Sequence, residues 1–323
     1  MKKLLWAAGL LLLSSKAWCW GFFGHKHINY HAVFLLPPEM IVFYKTNIGF
    51  LTEHAVDPDK RRYAVKAEAP RHFIDLDKYG SPPFKNLPRK WNEAVEKFTE
   101  DSLMQHGIGP WWVQVMQTRL TNAFRQKDAA RILRLSAELG HYIADLHVPL
   151  HASSNHNGQH TNQHGIHGFW ESRIPELLAD KKWDFFIGHA SYINDPLNYM
   201  WLRVIESAMA ADTVLRVEKT LSDKFRADQK YAYEARNGIT IRQYSTAYSL
   251  AYDGLLNNMI ERRMRMSIYA VASFWYTAWA NAGQPDLKNL SEATFSGDDL
   301  KEFAEMNVAW KQADSATAAC ATK

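Results

Sequence analysis

One stretch constrains this chain more than any other: Gly140-His141-Tyr142-Ile143-Ala144-Asp145-Leu146-His147-Val148-Pro149-Leu150-His151, followed by His167-Gly168-Phe169-Trp170-Glu171. Residues four apart on a helix lie one turn apart on the same face, so His141 and Asp145 can converge on a single cation. His167 and Glu171 repeat that spacing. Pro149 cannot continue a helix and restricts the residue before it, which predicts a break that returns the chain at His151. Two helical pairs and a corner imidazole predict more than one metal ion.

Seven of the 14 histidines fall between His141 and His167. A single histidine on an apolar helix face is usually a hydrogen-bonded core residue, but that reading must here explain His141, Asp145, His151, His167 and Glu171 together. His147, His156, His160 and His164 keep it, as supporting or loop residues. Imidazole with carboxylate suits zinc, and the absence of cysteine ligands argues against a closed structural site. Bridging carboxylates with several histidines suit a multinuclear hydrolytic centre.

The start of the chain predicts export. Lys2-Lys3 precede an apolar run from Leu4 to Leu13 that is too short to span a bilayer, the pattern of a signal peptide. Ala17 and Cys19 are small enough for cleavage between Cys19 and Trp20, whereas Trp18 disfavours a lipid anchor on Cys19. Removing residues 1–19 takes Lys2, Lys3 and Lys16 from 38 basic residues and nothing from 34 acidic ones, leaving 35 against 34. Such a balance argues against strong nonspecific binding to nucleic acid or anionic membranes, apart from a local patch such as Lys60-Arg61-Arg62. Cys320 is then the sole cysteine, so no internal disulfide can form and stability must come from core and metal.

At 323 residues and 47% hydrophobic the chain can bury a sizeable core. Apolar spacing and breakers predict helices over 26–36, 39–52, 90–106, 111–126, 128–147, 167–179, 197–222 and 240–282. Strand-like alternation is scarce. Pro37-Pro38, Gly80-Ser81-Pro82-Pro83 and Gly107-Ile108-Gly109-Pro110 read as connectors. The expectation is an all-α chain with a signal peptide over 1–19, a single multi-helix domain over 20–283 and a loosely attached extension of unknown role over 284–323. A monomer is favoured.

The pattern His141-x-x-x-Asp145-x-x-x-x-x-His151, then His167-x-x-Trp170-Glu171, resembles the zinc-dependent phospholipase C and single-strand-specific zinc nuclease superfamily. That resemblance implies an all-α fold around three zinc ions and a phosphodiesterase with a metal-bridging hydroxide as nucleophile. It also implies a mature N-terminal Trp whose amine and carbonyl bind zinc, and Trp20-Gly21-Phe22-Phe23-Gly24-His25 stands at the predicted cut. Carried over residue by residue, Trp20 and His25 hold one zinc and Asp145 bridges it to a second. The second also takes Asp57, His72 and His141, and the third takes His151, His167 and Glu171. Asp57 is preferred to Asp59 for its distance from His72, and is assigned the catalytic role of orienting the hydroxide.

Substrate choice is divided. Glu171 and His72-Phe73-Ile74-Asp75-Leu76-Asp77 lean toward the phospholipase C branch, whereas Trp20-Gly21-x-x-Gly24-His25 and Pro149-Leu150-His151 lean toward nucleases. A nuclease needs an aromatic shelf for a base, with Phe84, Trp111, Trp112 and Tyr142 as candidates. Tyr244, Tyr248 and Tyr252 share a helical face, read as core packing rather than a lipid groove. The reading adopted from sequence is an exported, periplasmic or secreted, phospholipase C-like phosphodiesterase acting on phospholipid. A single-strand-specific zinc nuclease is the alternative, and a zinc-binding protein without turnover is a second.

Overall fold

In the computed structural model, residues 21–82, 84–236, 239–290 and 293–321 are described, so the predicted signal peptide and Trp20 lie outside the described residues. The fold is mostly helical, as expected. Its centre is built by Gly109–Gln126, Ala129–Asp145, Pro196–Lys224 and Met259–Asn281, with Phe22–Val33 packed against two of them. Their apolar faces meet through side chains such as Leu120, Phe124, Ile132, Leu139, Val271 and Phe274, all without exposed surface.

Local chemistry sets the ends of these helices. Asp128 caps Ala129–Asp145 by accepting the Arg131 N–H, and Asp195 caps Pro196–Lys224 by accepting that of Asn198, with Pro196 opening the first turn. The Ala129–Asp145 helix runs inward: it starts at the surface, and from Ser136 to Ala152 the chain is buried continuously. His141 and Asp145 are thereby delivered to the interior. Two polar ties fix this helix to its neighbours. Asn29 donates to the carbonyls of Leu51 and Ala137, and the Trp275 indole donates to that of Ser136. At Gly140 the Asn29 side chain approaches so closely that an added Cβ would lie 2.0 Å from its Oδ1.

Several predicted helices are interrupted. The 39–52 segment breaks at Asn47 into Pro38–Thr46 and Ile48–Glu53, and the 90–106 segment breaks at Thr99 into Trp91–Phe98 and Glu100–His106. The expected 240–282 helix is replaced by three elements: a strand, Thr246–Leu255 and Met259–Asn281. Strand Tyr231–Arg236 pairs antiparallel with Ile239–Tyr244, while Asn257 and Asn258 adopt left-handed φ of 52° and 56° between the helices. Asparagine tolerates that conformation better than most residues.

The extension is ordered against the body. Its Gly297–Ala321 helix packs on Asp57–Arg61, with Phe303 over the rings of Phe50 and His54 and Trp310 against Phe22. Arg134 anchors it by donating to Asp299 at 3.1 Å and Glu302 at 2.5 Å.

Candidate metal centre

Three buried groups of ligand-type side chains lie together: His25, His141 and Asp145; Asp59, His72 and His141; and His151, His167 and Glu171. Asp145 stands between the first two. One carboxylate oxygen is 3.3 Å from His25 Nε2, and the other is 2.9 Å from His72 Nδ1 and 3.3 Å from His141 Nε2. The His25 and His141 rings stack at 3.8 Å. In the third group, Glu171 Oε2 is 2.9 Å from His167 Nε2 and 3.6 Å from His151 Nε2.

Backbone carbonyls aim these imidazoles. The Nδ1–H of His141 donates to Ala55 O at 2.8 Å, that of His151 to His72 O at 2.6 Å, and that of His167 to His156 O at 3.0 Å. Each ring thus turns its Nε2 inward, the nitrogen through which an imidazole held at Nδ1 binds metal. His72 is oriented differently: Nδ1 faces the cluster while Nε2 lies 3.7 Å from Glu68. A single turn of π-helix, Phe169–Arg173, positions Glu171 across from His167. Such turns are often found at functional sites.

Buried polar atoms that lack partners test whether metal fits. His25 Nε2, Asp145 Oδ1, His151 Nε2, His167 Nε2 and both Glu171 oxygens are buried with no hydrogen-bond partner among the described residues. Each such atom costs on the order of 1–3 kcal/mol or more if left so. Their convergence in the same clusters fits sites for metal cations. Electrostatics agrees. Burial opposes charge on Asp145 and Asp59, but neighbouring imidazoles, His141 foremost, hold both below the usual carboxylate range. Burial likewise works against charge on His141, yet Asp145 and Asp59 push it up to about 9. Where carboxylate charge is not matched, burial prevails: Glu171 is raised well above its ordinary value, and His25 and His167 are lowered to about 4. The donor set of imidazoles and carboxylates, without thiolate, suits zinc.

Of the residues expected from sequence, His25, His72, His141, Asp145, His151, His167 and Glu171 are brought together in these groups. Trp20 lies outside the described residues. Asp57 is the exception. Its carboxylate is taken by His54 Nδ1 at 2.5 Å and Lys60 Nζ at 3.2 Å, and Asp59 instead approaches His141 Nε2 at 3.8 Å and His72 Nδ1 at 3.9 Å. Helical residues two apart point about 200° apart, so only one of the two can face the cluster.

Residues outside the expected ligand set also support the site, one of which, Glu68, the sequence reading did not name. Glu68 is fully buried and takes Arg61 Nε at 3.1 Å, Arg71 Nη1 at 2.6 Å and the Tyr142 hydroxyl. Burial works against its charge, but His72, whose outer nitrogen it faces, and the Arg61 guanidinium hold it below the usual carboxylate range. Its four-residue spacing from His72 was the available signal. Arg62 rests against Asp59 at 3.4 Å, and its charge also reaches His156 and His167. His147 belongs to none of the groups; its Nδ1–H donates to Ile143 O at 2.7 Å.

Residues 20–269 match the family described as S1/P1 Nuclease. The chain belongs to the S1/P1 nuclease family. It is thus a hydrolase of phosphodiester bonds in a family that uses zinc. No curated protein matches the chain. The S1/P1 assignment favours the nuclease alternative over the phospholipase C-like reading adopted from sequence. Packing agrees on one point. Tyr248 and Tyr252 are fully buried and Tyr244 nearly so, each against Phe169, leaving no lipid groove there. No helix among the described residues is long and apolar enough to cross a membrane.

Proposed function

We propose that the protein is an exported nuclease that cuts single-stranded DNA or RNA at a centre of three zinc ions. The observation that carries this reading is the set of three buried ligand groups, two of them joined through His141 and Asp145, in a chain of the S1/P1 family. Asp59, His72, His141 and one oxygen of Asp145 would hold one ion. The other oxygen of Asp145 and His25, with the amine and carbonyl of Trp20, would hold another, and His151, His167 and Glu171 the third. Zinc bound there supplies a water of near-neutral pKa and positive charge for the phosphoryl oxygens.

The protein's own groups do the positioning. Asp145 presents one oxygen to each side, so the first two sites share a fixed spacing. Glu68 holds the His72 ring from behind. Arg62, beside Asp59 and near His167, adds a fixed cation where a phosphodiester would carry its charge. The family match begins at residue 20, in keeping with maturation before Trp20 and export. Intact-mass analysis of the exported protein checks that boundary, and a different start contradicts it.

The test is a parallel assay of zinc-loaded mature protein on single-stranded DNA, single-stranded RNA and phosphatidylcholine. Chelator-sensitive cleavage of the nucleic acids alone is the expected result. Cleavage of phosphatidylcholine alone overturns the substrate, and turnover of none overturns the activity.

A further inference from the structure

A second site lies behind the metal centre. A half-open groove of about 680 Å³ is lined by Arg61, Arg71, Arg119, Arg131 and Arg134, together with Trp112. Its carboxylates are Asp128, Glu138 and Asp299, so the lining carries five cationic side chains against three anionic ones. These arginines differ in their engagement. Arg61 is held by Glu68 and Glu138, and Arg134 by Glu138, Asp299 and Glu302. Arg119 and Arg131 are exposed, and no carboxylate among the described residues forms a salt bridge with either. Among the described residues the Arg131 guanidinium donates only to Gln126, and Arg119 lies 5.0 Å from the Trp112 ring.

The aromatic component is equally specific. Phe84, Trp111 and Tyr142 are core residues, so Trp112 alone of the candidate shelf residues remains half-buried. The Arg71 guanidinium lies 3.8 Å over its ring, forming a flat cationic plate of the kind on which nucleobases stack. The Trp112 indole N–H is buried without a hydrogen-bond partner among the described residues. One wall of the groove, Thr294, Ser296 and Asp299, comes from the C-terminal extension. A volume of this size suits a nucleotide.

We propose that this groove binds a nucleotide unit of a single strand outside the metal centre, with Arg119 and Arg131 taking phosphate and the Arg71–Trp112 plate receiving a base. This rests on the nuclease reading and extends it. The groove and the centre share the Ala129–Asp145 helix, with Glu138 three residues before His141, and Arg71 directly precedes His72. The extension acquires a role as the outer wall of the site.

The test uses zinc-loaded full-length mature protein and a fluorescent phosphorothioate 12-mer that resists cleavage, with affinity read by anisotropy across a salt series. Arg119→Ala/Arg131→Ala should weaken binding about tenfold and lower the salt slope by roughly 1.4, at about 0.7 per phosphate contact on single strands. Hydrolysis of a dinucleotide should stay at the wild-type rate. Arg119→Lys/Arg131→Lys should restore most of the salt slope. Adenosine 5′-monophosphate distinguishes the sources: arginine dependence for the 12-mer alone assigns a strand, and dependence for both assigns a single nucleotide. Unchanged affinity and slope in the alanine variant overturn the groove even if strands are cut. Arginine-dependent binding by a protein that cuts no strand supports the groove and removes the nuclease reading.

Discussion

Asp59 is the carboxylate that reaches both His72 and His141, whereas Asp57, two residues earlier, faces His54 and Lys60. Asp59→Asn keeps the size but removes the charge a cation needs, so hydrolysis should fall on the order of a hundredfold or more with the helical signal intact. Asp57→Asn should leave most activity and act mainly on stability. Steady-state rates of the two variants check this, and the opposite order would restore Asp57 as the ligand. His147 is buried and its pKa is pushed down to about 3, chiefly by burial. In the unfolded chain an imidazole titrates near 6.5. Between those values the unfolded state binds the proton and the native state does not. The contribution to stability is therefore complete above pH about 6.5 and is lost as pH falls toward about 3. His147→Gln should shift the acid-unfolding midpoint to lower pH while leaving neutral-pH activity within a few-fold, read by circular dichroism across a pH series. His141 with Asp145 and His167 with Glu171 were legible because four-residue spacing gives each pair a shared face, whereas His25 and His72 were reached only through the family resemblance. Asp57 was chosen over Asp59 on sequence distance to His72, which does not register which side of a short helix each carboxylate faces.

At the level of elements, the approach of Phe22–Val33 to Ala129–Asp145 is set by Gly140, whose missing side chain leaves room for Asn29. Asn29 is itself held by two carbonyls, so it cannot easily yield. Gly140→Ala should destabilise the protein by about 1–3 kcal/mol through overpacking, despite the better helix propensity of alanine, as measured by denaturant unfolding. An unchanged midpoint would mean that the two helices separate at little cost. The long helices were readable from their apolar period and from breakers such as Pro37-Pro38 and Pro110. The 231–244 hairpin was not, although Asn237-Gly238 between the alternating Tyr231-Ala232-Tyr233 and Ile239-Thr240-Ile241 segments is a strong hairpin signal. Tyr244 also fits a helical face with Tyr248 and Tyr252, and that competing period obscured it. The π-helical turn at Phe169–Arg173 leaves the His167-to-Glu171 spacing unchanged and has no signature in residue type.

Across the whole molecule, the ligand groups join the first helix, the 57–72 segment, the central helix and the 149–173 region. Metal held by these groups would tie distant segments of the chain together and so couple binding to folding. Chelation should lower the thermal midpoint by well over the roughly 2–4 °C that about 1 kcal/mol produces in a chain of this size. Readdition of zinc should restore it, and a midpoint indifferent to chelator would separate folding from metal. The extension was read from its small, polar composition as loosely attached. Arg134, Phe303 and Trp310 instead fix it through contacts distant in sequence, which composition cannot register. The central claim is that these groups form one centre of three zinc ions. Elemental analysis of the purified, unchelated mature protein measures it directly: close to three zinc ions per chain is predicted, and one or none in a folded sample would contradict the account.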